Sequence, residues 1–222
     1  MNLLETPQSV GVIVDGNRRW AKKEGVPIFE GHRAGYRNFK NFVDWAAERG
    51  IRFVTAYIFS TENWNRPTVE VNFLLELLES VLGDELLELK NKNVRLKVIG
   101  DISLFASKLQ ELIKKAVAET AENGGITLVL ALSYGGREEL RQAAEKKATH
   151  GGKLEDYLWT RGIPDPDLII RTSGEMRLSN FLPWQAVYSE LFFVKTLWPD
   201  FTKDEFLAIL EEYKSRQRRF GK

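Results

Sequence analysis

The segment VGVIVDGNRRWA, residues 10–21, joins a short apolar run to a basic stretch through a single acidic residue. A short run of apolar residues is typical of a buried strand, so residues 10–14 predict a strand that Asp15 closes. Gly16 follows at once, and the stretch behind it can open a helix. Because ligands in open α/β sheets bind beyond the carboxyl ends of the strands, this junction is the first candidate for a ligand site.

Similar apolar runs recur along the chain and alternate with longer amphipathic segments. Strands are predicted over residues 10–14, 53–59, 94–99, 126–132, 168–171 and 191–194. Apolar residues at three- and four-residue spacing predict helices through residues 39–46, 74–86 and 109–117. This alternation predicts an α/β fold, with one domain over residues 1–222 and a mostly parallel central sheet of about six strands flanked by helices on both faces. Charged residues within 94–99 indicate an edge strand.

Glycine and threonine residues mark the expected ends of the helices. Gly50 and Gly124 follow the first and the third predicted helix and suit left-handed C-caps. Thr68 is a candidate N-cap of the second helix. Thr202 with Glu205 forms the pattern of a capping box before a last helix.

The composition excludes several classes of protein. Hydrophobic residues make up 43% of the 222 residues and charged residues 28%, which is typical of a globular protein. A net charge of +1 gives no bulk attraction to nucleic acid, so no nucleic-acid partner is expected. The lack of cysteine excludes disulfides and cysteine nucleophiles, and two histidines are too few for a histidine-rich zinc site. Neither a secretory signal nor a transmembrane stretch is present in the sequence, so we expect a cytoplasmic protein.

The residues after the first predicted strand suit a phosphate or diphosphate group. A helix N-terminus offers free N–H groups and a partial positive charge, and Gly16 lets the backbone approach a ligand. Asn17 can form a hydrogen bond to it, while Arg18 and Arg19 add positive charge. Asp15 would repel phosphate unless a Mg²⁺ ion, which takes oxygens from carboxylates and substrate phosphates, lies between them. The alternative is that Asp15 only caps the helix.

Further motifs follow in a fixed order along the chain. Together with the first segment they comprise residues 12–21, 59–67, 99–101, 133–137, 167–175, 177–182, 184–185, 190, 198–200 and 218–221. The ordered set resembles the motifs of cis-prenyltransferases, the family of undecaprenyl diphosphate synthases, over nearly the whole chain. The resemblance implies a Mg²⁺-dependent enzyme that adds isopentenyl diphosphate units in cis to an allylic diphosphate primer, such as farnesyl diphosphate, and releases diphosphate. The implied product is a polyprenyl diphosphate, a lipid-carrier precursor for glycan or cell-wall synthesis.

The same resemblance implies a role for individual residues. The allylic diphosphate site comprises Gly16, Asn17, Arg18, Arg19, Trp20, His32, Ser60, Trp64 and Arg66. The isopentenyl diphosphate site comprises Arg171, Arg177, Ser179 and Arg219. The implied catalytic residues are Asp15, Arg19 and Asn63. The implied metal ligands are Asp15 and Glu190, with Asp200 as a further candidate. In the family the tail that carries Arg219 reaches the site of a partner subunit, which implies a homodimer.

Simpler interpretations remain open for several of these residues. Arg171 could form a structural ion pair with Asp167 or Glu190. Trp64 could belong to the ordinary core, and His32 could be a neutral residue at a helix start. Glu190 precedes an apolar run, so it is expected to start a strand near the ligand-binding edge of the sheet.

The growing prenyl chain requires an apolar channel. Its candidate lining consists of residues 43–46, residues 78–82, Ile58 and Leu130. Ile58 stands where many long-chain members of the family have a smaller residue, which predicts a narrower channel and a shorter product. Ile28 and Met176 also depart from the family pattern, because they stand where many members have an arginine near the allylic diphosphate and a histidine of the metal or isopentenyl site.

Two other functions compete with this interpretation. A phosphohydrolase could use Asp15 as its nucleophile, but such enzymes usually carry a second acid two residues on, where this chain has Asn17. A non-catalytic partner subunit of a prenyltransferase would typically lose the Asp-Gly-Asn opening, which this chain keeps. Peripheral contact with a membrane through the lipid product is also an expectation.

Overall fold

Six parallel strands form one sheet in the computed structural model, which describes residues 6–216. The strands are Ser9–Ile13 (β1), Phe53–Ser60 (β2), Arg95–Ile99 (β3), Thr127–Tyr134 (β4), Leu168–Arg171 (β5) and Glu190–Phe193 (β6). Their order is β3-β4-β2-β1-β5-β6, and all five ladders are parallel. The predicted α/β class and the predicted strands are confirmed, with each strand end within two residues of its expected place. Strand β3, in which charged and apolar residues alternate, lies at an edge of the sheet, as its charged residues indicate.

Seven α-helices connect or follow these strands within the described residues. They are Asn17–Glu24 (α1), Ile28–Glu48 (α2), Thr68–Asp84 (α3), Leu86–Asn91 (α4), Ser107–Glu119 (α5), Gly136–His150 (α6) and Lys203–Ser215 (α7). The predicted capping box of Thr202 and Glu205 starts α7: the Thr202 side chain accepts from the Glu205 N–H, and the Glu205 carboxylate accepts from the Thr202 N–H. Gly50 follows α2 with a positive φ of 76°, as expected for a left-handed residue beyond a helix.

Two of the predicted helix caps are wrong. Thr68 is the first residue of α3 rather than its N-cap, because Pro67 occupies that position. Gly124 does not cap α5, because the helix already ends at Glu119 with Thr120 as its C-cap. In both cases the cap lies before the residue that the sequence pattern favours.

Both faces of the sheet are apolar, because successive side chains of a strand point to opposite sides. In β4, Leu128 and Leu130 belong to one buried cluster, whereas Val129 belongs to the other. Helices α2, α3, α5 and α7 supply most of the partners of the first cluster. Helix α6 is attached to the second face by a hydrogen bond of 2.6 Å from the Tyr134 hydroxyl to Glu139. Helices on both faces are therefore confirmed.

The register of the central strands decides which residues meet at the carboxyl edge. Ile13 at the end of β1 pairs with Tyr57 of β2 and with Arg171 of β5. Asp15 lies just beyond the end of β1, so the chain brings it beside Arg171 at one edge of the sheet. The two residues are 156 positions apart in sequence, and the parallel pairing of β1 with β5 brings them together.

Glu190 lies at the opposite edge. It starts β6 as predicted and pairs with Leu168, the first residue of β5. A parallel strand begins at the amino edge, about 10 Å of strand away from the carboxyl ends. The expectation that Glu190 lies near the ligand-binding edge of its own sheet is therefore wrong. Its carboxylate instead accepts a hydrogen bond of 2.7 Å from Arg216, whose guanidinium also lies over the Phe192 ring.

None of the helices within residues 6–216 combines the length and the apolar character that crossing a lipid bilayer requires.

Candidate active site

The N-terminus of α1 faces the carboxyl edge of the sheet. Gly16 precedes the helix with a φ of 116°, a conformation that favours glycine, and it has no side chain that could cap the first N–H groups. The first turn of α1 contains no acidic residue but carries Arg18 and Arg19, both largely exposed. Asp15 does not cap the helix, so the alternative role left open for it is wrong. This terminus is open to an anion.

Two glycines of α2 let α1 pack close to it. A Cβ atom at Gly31 would lie 2.2 Å from the Asn17 carbonyl oxygen, and one at Gly35 would lie 2.2 Å from the Asn17 Oδ1. A side chain at Gly31 would force the backbone of the first turn of α1 to move, and one at Gly35 would displace the Asn17 side chain. Asn17 Oδ1 is buried and accepts from no donor within residues 6–216. The glycines of α2 thus fix the position of Asn17 at the start of α1.

Asp15 and Arg171 form the centre of the site. Arg171 Nη2 donates to Asp15 Oδ2 at 2.9 Å, and Arg171 Nη1 donates to Ser179 Oγ at 2.7 Å and to the Arg177 carbonyl at 2.5 Å. The Arg171 side chain is only 6% exposed, which makes this a mostly buried ion pair. Its partner is Asp15, so the expected alternatives Asp167 and Glu190 are wrong.

Two arginines keep Asp15 ionised. Burial alone raises the pKa of Asp15, but the hydrogen bond and charge of Arg171 outweigh it, and the charge of Arg19 adds to them. The net result is a pKa below the ordinary value of 3.8. Arg19 Nη2 lies 3.3 Å from Asp15 Oδ1, and its guanidinium also donates to the Ser173 carbonyl at 3.0 Å and to the Ser173 hydroxyl. Arg19 therefore links α1 to the segment after β5.

A second cluster surrounds Glu70, a buried carboxylate near the start of α3. Arg66 Nη1 donates to it at 2.9 Å, His32 Nε2 lies 3.2 Å away and Arg18 Nε lies 3.7 Å away. Burial lowers the pKa of His32, the charges of Arg66 and Arg18 lower it further, and Glu70 opposes the effect. His32 is therefore neutral at neutral pH, as the simpler interpretation expected, but it also faces the site.

The short segment after β2 forms one rim of the site. Its 3₁₀ turn Thr61–Asn65 is closed by a capping box in which the Ser60 N–H donates to Asn63 Oδ1 at 3.0 Å. Trp64 turns away from the opening: its indole N–H donates to Ser133 Oγ at 3.0 Å, and its ring packs against Phe59 with centroids 4.9 Å apart. The ordinary-core interpretation of Trp64 agrees with this position.

These elements enclose a cleft of about 1390 Å³. The predicted site residues that line it are Asp15, Gly16, Asn17, Arg18, Arg19, His32, Ser60, Asn63, Arg66, Arg171 and Ser179. Other lining residues to which the sequence had assigned no role include Glu62, Arg137 and Asn180. Glu62 accepts from Asn180 at 3.2 Å, so they close the rim between β2 and the segment after β5. Cationic and hydrogen-bonding groups thus line two sides of one opening.

Several predicted site residues do not line the cleft. The Trp20 indole N–H donates to Asp200 at 2.7 Å, and Lys23 pairs with the same carboxylate at 3.0 Å. Neither Trp20 nor Asp200 lines the cleft, and the two side chains satisfy each other. The exposed Arg177 pairs with Glu175 at 2.5 Å and contributes only its carbonyl to Arg171. Arg219 lies outside the described residues.

An apolar cavity of about 120 Å³ adjoins the cleft between α2, α3 and the sheet. The two spaces share Val14, Asn17, His32, Ile58 and Leu74. Deeper lining residues include Tyr36, Phe39, Leu78, Val81 and Leu130. The predicted contribution of residues 43–46 is wrong, because Val43 and Ala46 pack in the closed core one turn below the cavity.

Asp15 fits a magnesium ion only together with substrate oxygens. It is a carboxylate with a lowered pKa that lines the cleft just before α1, and Mg²⁺ is commonly held by one or two carboxylates plus phosphate oxygens. Within residues 6–216 there is no group of three or more acidic or histidine side chains that could hold a metal on its own. Glu190 does not fit this site within one chain, because it lies at the other edge of the sheet.

Comparison with known proteins finds a matching family and several similar chains. A family described as putative undecaprenyl diphosphate synthase matches residues 13–221. The chain is 46% identical to an isoprenyl transferase of Thermotoga maritima over 98% of both chains. It is 45% identical to one of Bacillus subtilis, covering 98% of this chain and 88% of the relative.

Two solved structures are similar throughout. One is lavandulyl diphosphate synthase from Lavandula x intermedia in complex with dimethylallyl diphosphate, with a TM-score of 0.93, 38% identity, and coverage of 98% of this chain and 99% of that one. The other is a probable undecaprenyl diphosphate synthase from Campylobacter jejuni, with a TM-score of 0.85, 33% identity, and coverage of 99% and 100%.

Proposed function

The chain belongs to the undecaprenyl diphosphate synthase family and is a prenyltransferase, and from this premise we propose that it condenses isopentenyl diphosphate in cis onto an allylic diphosphate such as farnesyl diphosphate. The observation that carries the proposal is one cleft with two cationic sides and an apolar cavity at its base. A phosphohydrolase would not account for the apolar cavity. We further propose that the polyprenyl diphosphate product is the precursor of a lipid carrier for glycan or cell-wall synthesis.

The allylic diphosphate binds at the N-terminus of α1. The free N–H groups of this turn and the side chains of Arg18 and Arg66 face the cleft, where they neutralise a diphosphate. From this position the allylic tail enters the apolar cavity between α2 and α3. The solved lavandulyl diphosphate synthase, which contains dimethylallyl diphosphate, supports an allylic diphosphate as the ligand.

Isopentenyl diphosphate binds on the side of Arg171. Arg171 Nε is buried without a partner within residues 6–216, so this guanidinium keeps a donor that its protein contacts do not use. Ser179 and Asn180 lie beside it in the left-handed conformation, with φ values of 49° and 67°. Such backbone strain persists where the surrounding structure holds a binding site in place. Arg219 is proposed to complete this site from a partner subunit.

The reaction requires charge stabilisation rather than a protein nucleophile. The allylic C–O bond breaks, its electron pair stays with the departing diphosphate oxygen, and an allylic cation forms. Arg19 and the N–H groups of α1 stabilise the departing anion in place. The double bond of isopentenyl diphosphate then bonds to the cation, and a proton leaves the new chain. A Mg²⁺ ion held by Asp15 and diphosphate oxygens would supply further positive charge to the leaving group.

Asn63 orients the groups near the reacting carbons. Its Oδ1 already accepts from the Ser60 N–H, so its amide NH₂ group remains as a donor toward the cleft. A diphosphate oxygen positioned by this donor is the proposed acceptor of the leaving proton. Asn63 then positions a reacting group, whereas Arg19 stabilises the departing anion and Asp15 would hold the Mg²⁺ ion.

Exposed apolar residues near the edge strand β6 support the proposal of a homodimer. Trp184, Val187 and Tyr188 are 42%, 67% and 70% exposed, and they precede β6 in the chain. Apolar groups exposed together commonly mark a protein interface.

Peripheral contact with a membrane through the lipid product remains part of the proposal.

The test is to incubate the pure protein with labelled isopentenyl diphosphate and farnesyl diphosphate, with Mg²⁺ or with a chelator. With Mg²⁺ we expect longer prenyl diphosphates, and one free diphosphate for each isopentenyl unit added. With the chelator we expect neither product. Release of inorganic phosphate without chain growth would instead support the phosphohydrolase. Activity that requires a second polypeptide would support the non-catalytic subunit.

A further inference from the structure

Glu70 is a buried carboxylate to which the proposed reaction assigns no task. It is the third residue of α3 and is only 5% exposed. An ionised carboxylate at such a depth is unfavourable unless nearby groups compensate its charge. Its two oxygens contact Arg66 at 2.9 Å, His32 at 3.2 Å and Arg18 at 3.7 Å, so three separate segments converge on it.

All three partners of Glu70 line the cleft, whereas Glu70 lies behind them. Arg18 comes from α1, His32 from α2 and Arg66 from the turn before α3. Arginine side chains lose considerable conformational entropy when they are fixed to bind a ligand. A carboxylate that already orients two of them before the ligand arrives reduces this loss.

We propose that Glu70 is a positioning residue of the allylic site, which holds Arg66 toward the allylic diphosphate and fixes the ring orientation and tautomer of His32. The inference rests on the proposed function, because it assumes that the cleft binds an allylic diphosphate. Glu70 itself touches no substrate and is not a catalytic residue.

The contact with His32 determines which ring nitrogen carries a proton. Glu70 is an acceptor only, so a neutral His32 must carry its proton on Nε2 to donate to it. The other nitrogen, Nδ1, is then an acceptor. The charged groups that face His32 are Glu70 from α3, Arg66 from the preceding turn and Arg18 from α1. Removing Glu70 frees the ring to exchange tautomers.

The first test compares two matched substitutions on α3 in the full-length protein. Glu70→Gln keeps the shape of the side chain but removes its charge. Glu79→Gln is the control, because Glu79 pairs with Lys108 at 2.6 Å and does not line the cleft. We expect Glu70→Gln to raise the KM for farnesyl diphosphate about tenfold and the control to change it less than about twofold. The KM for isopentenyl diphosphate should stay nearly constant in both.

A lower KM for farnesyl diphosphate in Glu70→Gln would overturn the proposal, because it would show that Glu70 competes with the diphosphate instead of preparing its site. An unchanged KM would overturn it as well. If Glu70→Gln melts without cooperativity, Glu70→Asp replaces it: the charge stays, but the oxygens retract by about one C–C bond, ~1.5 Å. The same loss of primer affinity is expected.

The second test needs no turnover. The chain has two histidines, so ring ¹⁵N spectra are simple, and exposed His150 serves as an internal reference. We expect the wild-type protein to show His32 as the Nε2–H tautomer, and Glu70→Gln to show a mixture with a lower pKa, because Glu70 raises it. An unchanged His32 signal would contradict the positioning role. A wild-type protein that fails to lengthen farnesyl diphosphate would contradict the proposed function and leave this readout intact.

Discussion

Replacing Asp15 by asparagine separates its charge from its shape. In Asp15→Asn the amide oxygen can still accept from Arg171, but the buried guanidinium loses the anion 2.9 Å away and Arg19 loses the one 3.3 Å away. A hydrogen bond to a charged group contributes about 1.5–3 kcal/mol, and the substitution removes the charge rather than the bond. We therefore expect a loss of about 1–2 kcal/mol in the free energy of unfolding. For a chain of this size the melting temperature should fall by about 2–8 °C.

The activity of Asp15→Asn should fall far more than its stability. The site loses its ionised carboxylate and with it the proposed metal ligand, so we expect turnover to drop by about 10²–10³. The assay is the rate of labelled isopentenyl diphosphate incorporation, with circular dichroism to confirm the fold. Full turnover in Asp15→Asn would refute the claim that the reaction needs the Asp15 charge. A variant that does not fold would refute the claim that asparagine removes the charge while preserving the structure.

The pH dependence of this stability difference follows from the lowered pKa of Asp15. A carboxyl whose pKa is lower in the native than in the unfolded state stabilises the native state above its ordinary pKa of 3.8. This contribution is lost as the pH falls through the native pKa. The difference in melting temperature between wild type and Asp15→Asn should be constant from about pH 5 to 8 and shrink below about pH 4. A difference in melting temperature that grows as the pH falls would contradict a lowered pKa of Asp15 in the native state.

Three further substitutions test other parts of the site. Ile58→Ala enlarges the junction of cleft and cavity, so chromatography should show longer products, and an unchanged length would remove Ile58 as a determinant. Arg171→Lys cannot reproduce the fork that binds Asp15 and Ser179, so the KM for isopentenyl diphosphate should rise about tenfold or more while that for the primer changes little. Gly35→Ala places a Cβ 2.2 Å from Asn17 Oδ1, so the Asn17 side chain must move and the primer KM should rise; a crystal structure with an unmoved Asn17 side chain would contradict this cause.

The strands were predictable because each is a short apolar run bounded by charged or glycine residues. In β4, every residue from Thr127 to Tyr134 is buried, and such a run fits a strand covered on both faces. Cap positions were less predictable: Thr68 follows a proline, and the sequence does not reveal that Pro67 already takes the N-cap position. The local sequence therefore predicted which elements form more accurately than it predicted the residues at which they begin and end.

The site was predictable where its residues belong to a motif and unpredictable where they meet through the fold. Asp15, Asn17 and Arg171 line the cleft as expected. Glu70 was missed, although its spacing of four residues from Arg66 signals a helical ion pair, because His32 lies 38 residues away and meets it only through α2. Glu190 was misplaced although the predicted parallel sheet already implies the answer, because the start of a parallel strand lies at the amino edge, opposite the ligand-binding edge.

The most direct test of the account is to ask whether the cleft holds two diphosphates at once. Isothermal titration calorimetry can measure the binding of isopentenyl diphosphate to protein saturated with farnesyl thiodiphosphate, an analogue that does not react readily, in the presence of Mg²⁺. We predict one molecule of each ligand per chain and little change in the affinity for isopentenyl diphosphate. Displacement of one ligand by the other would contradict the assignment of separate sites at α1 and at Arg171.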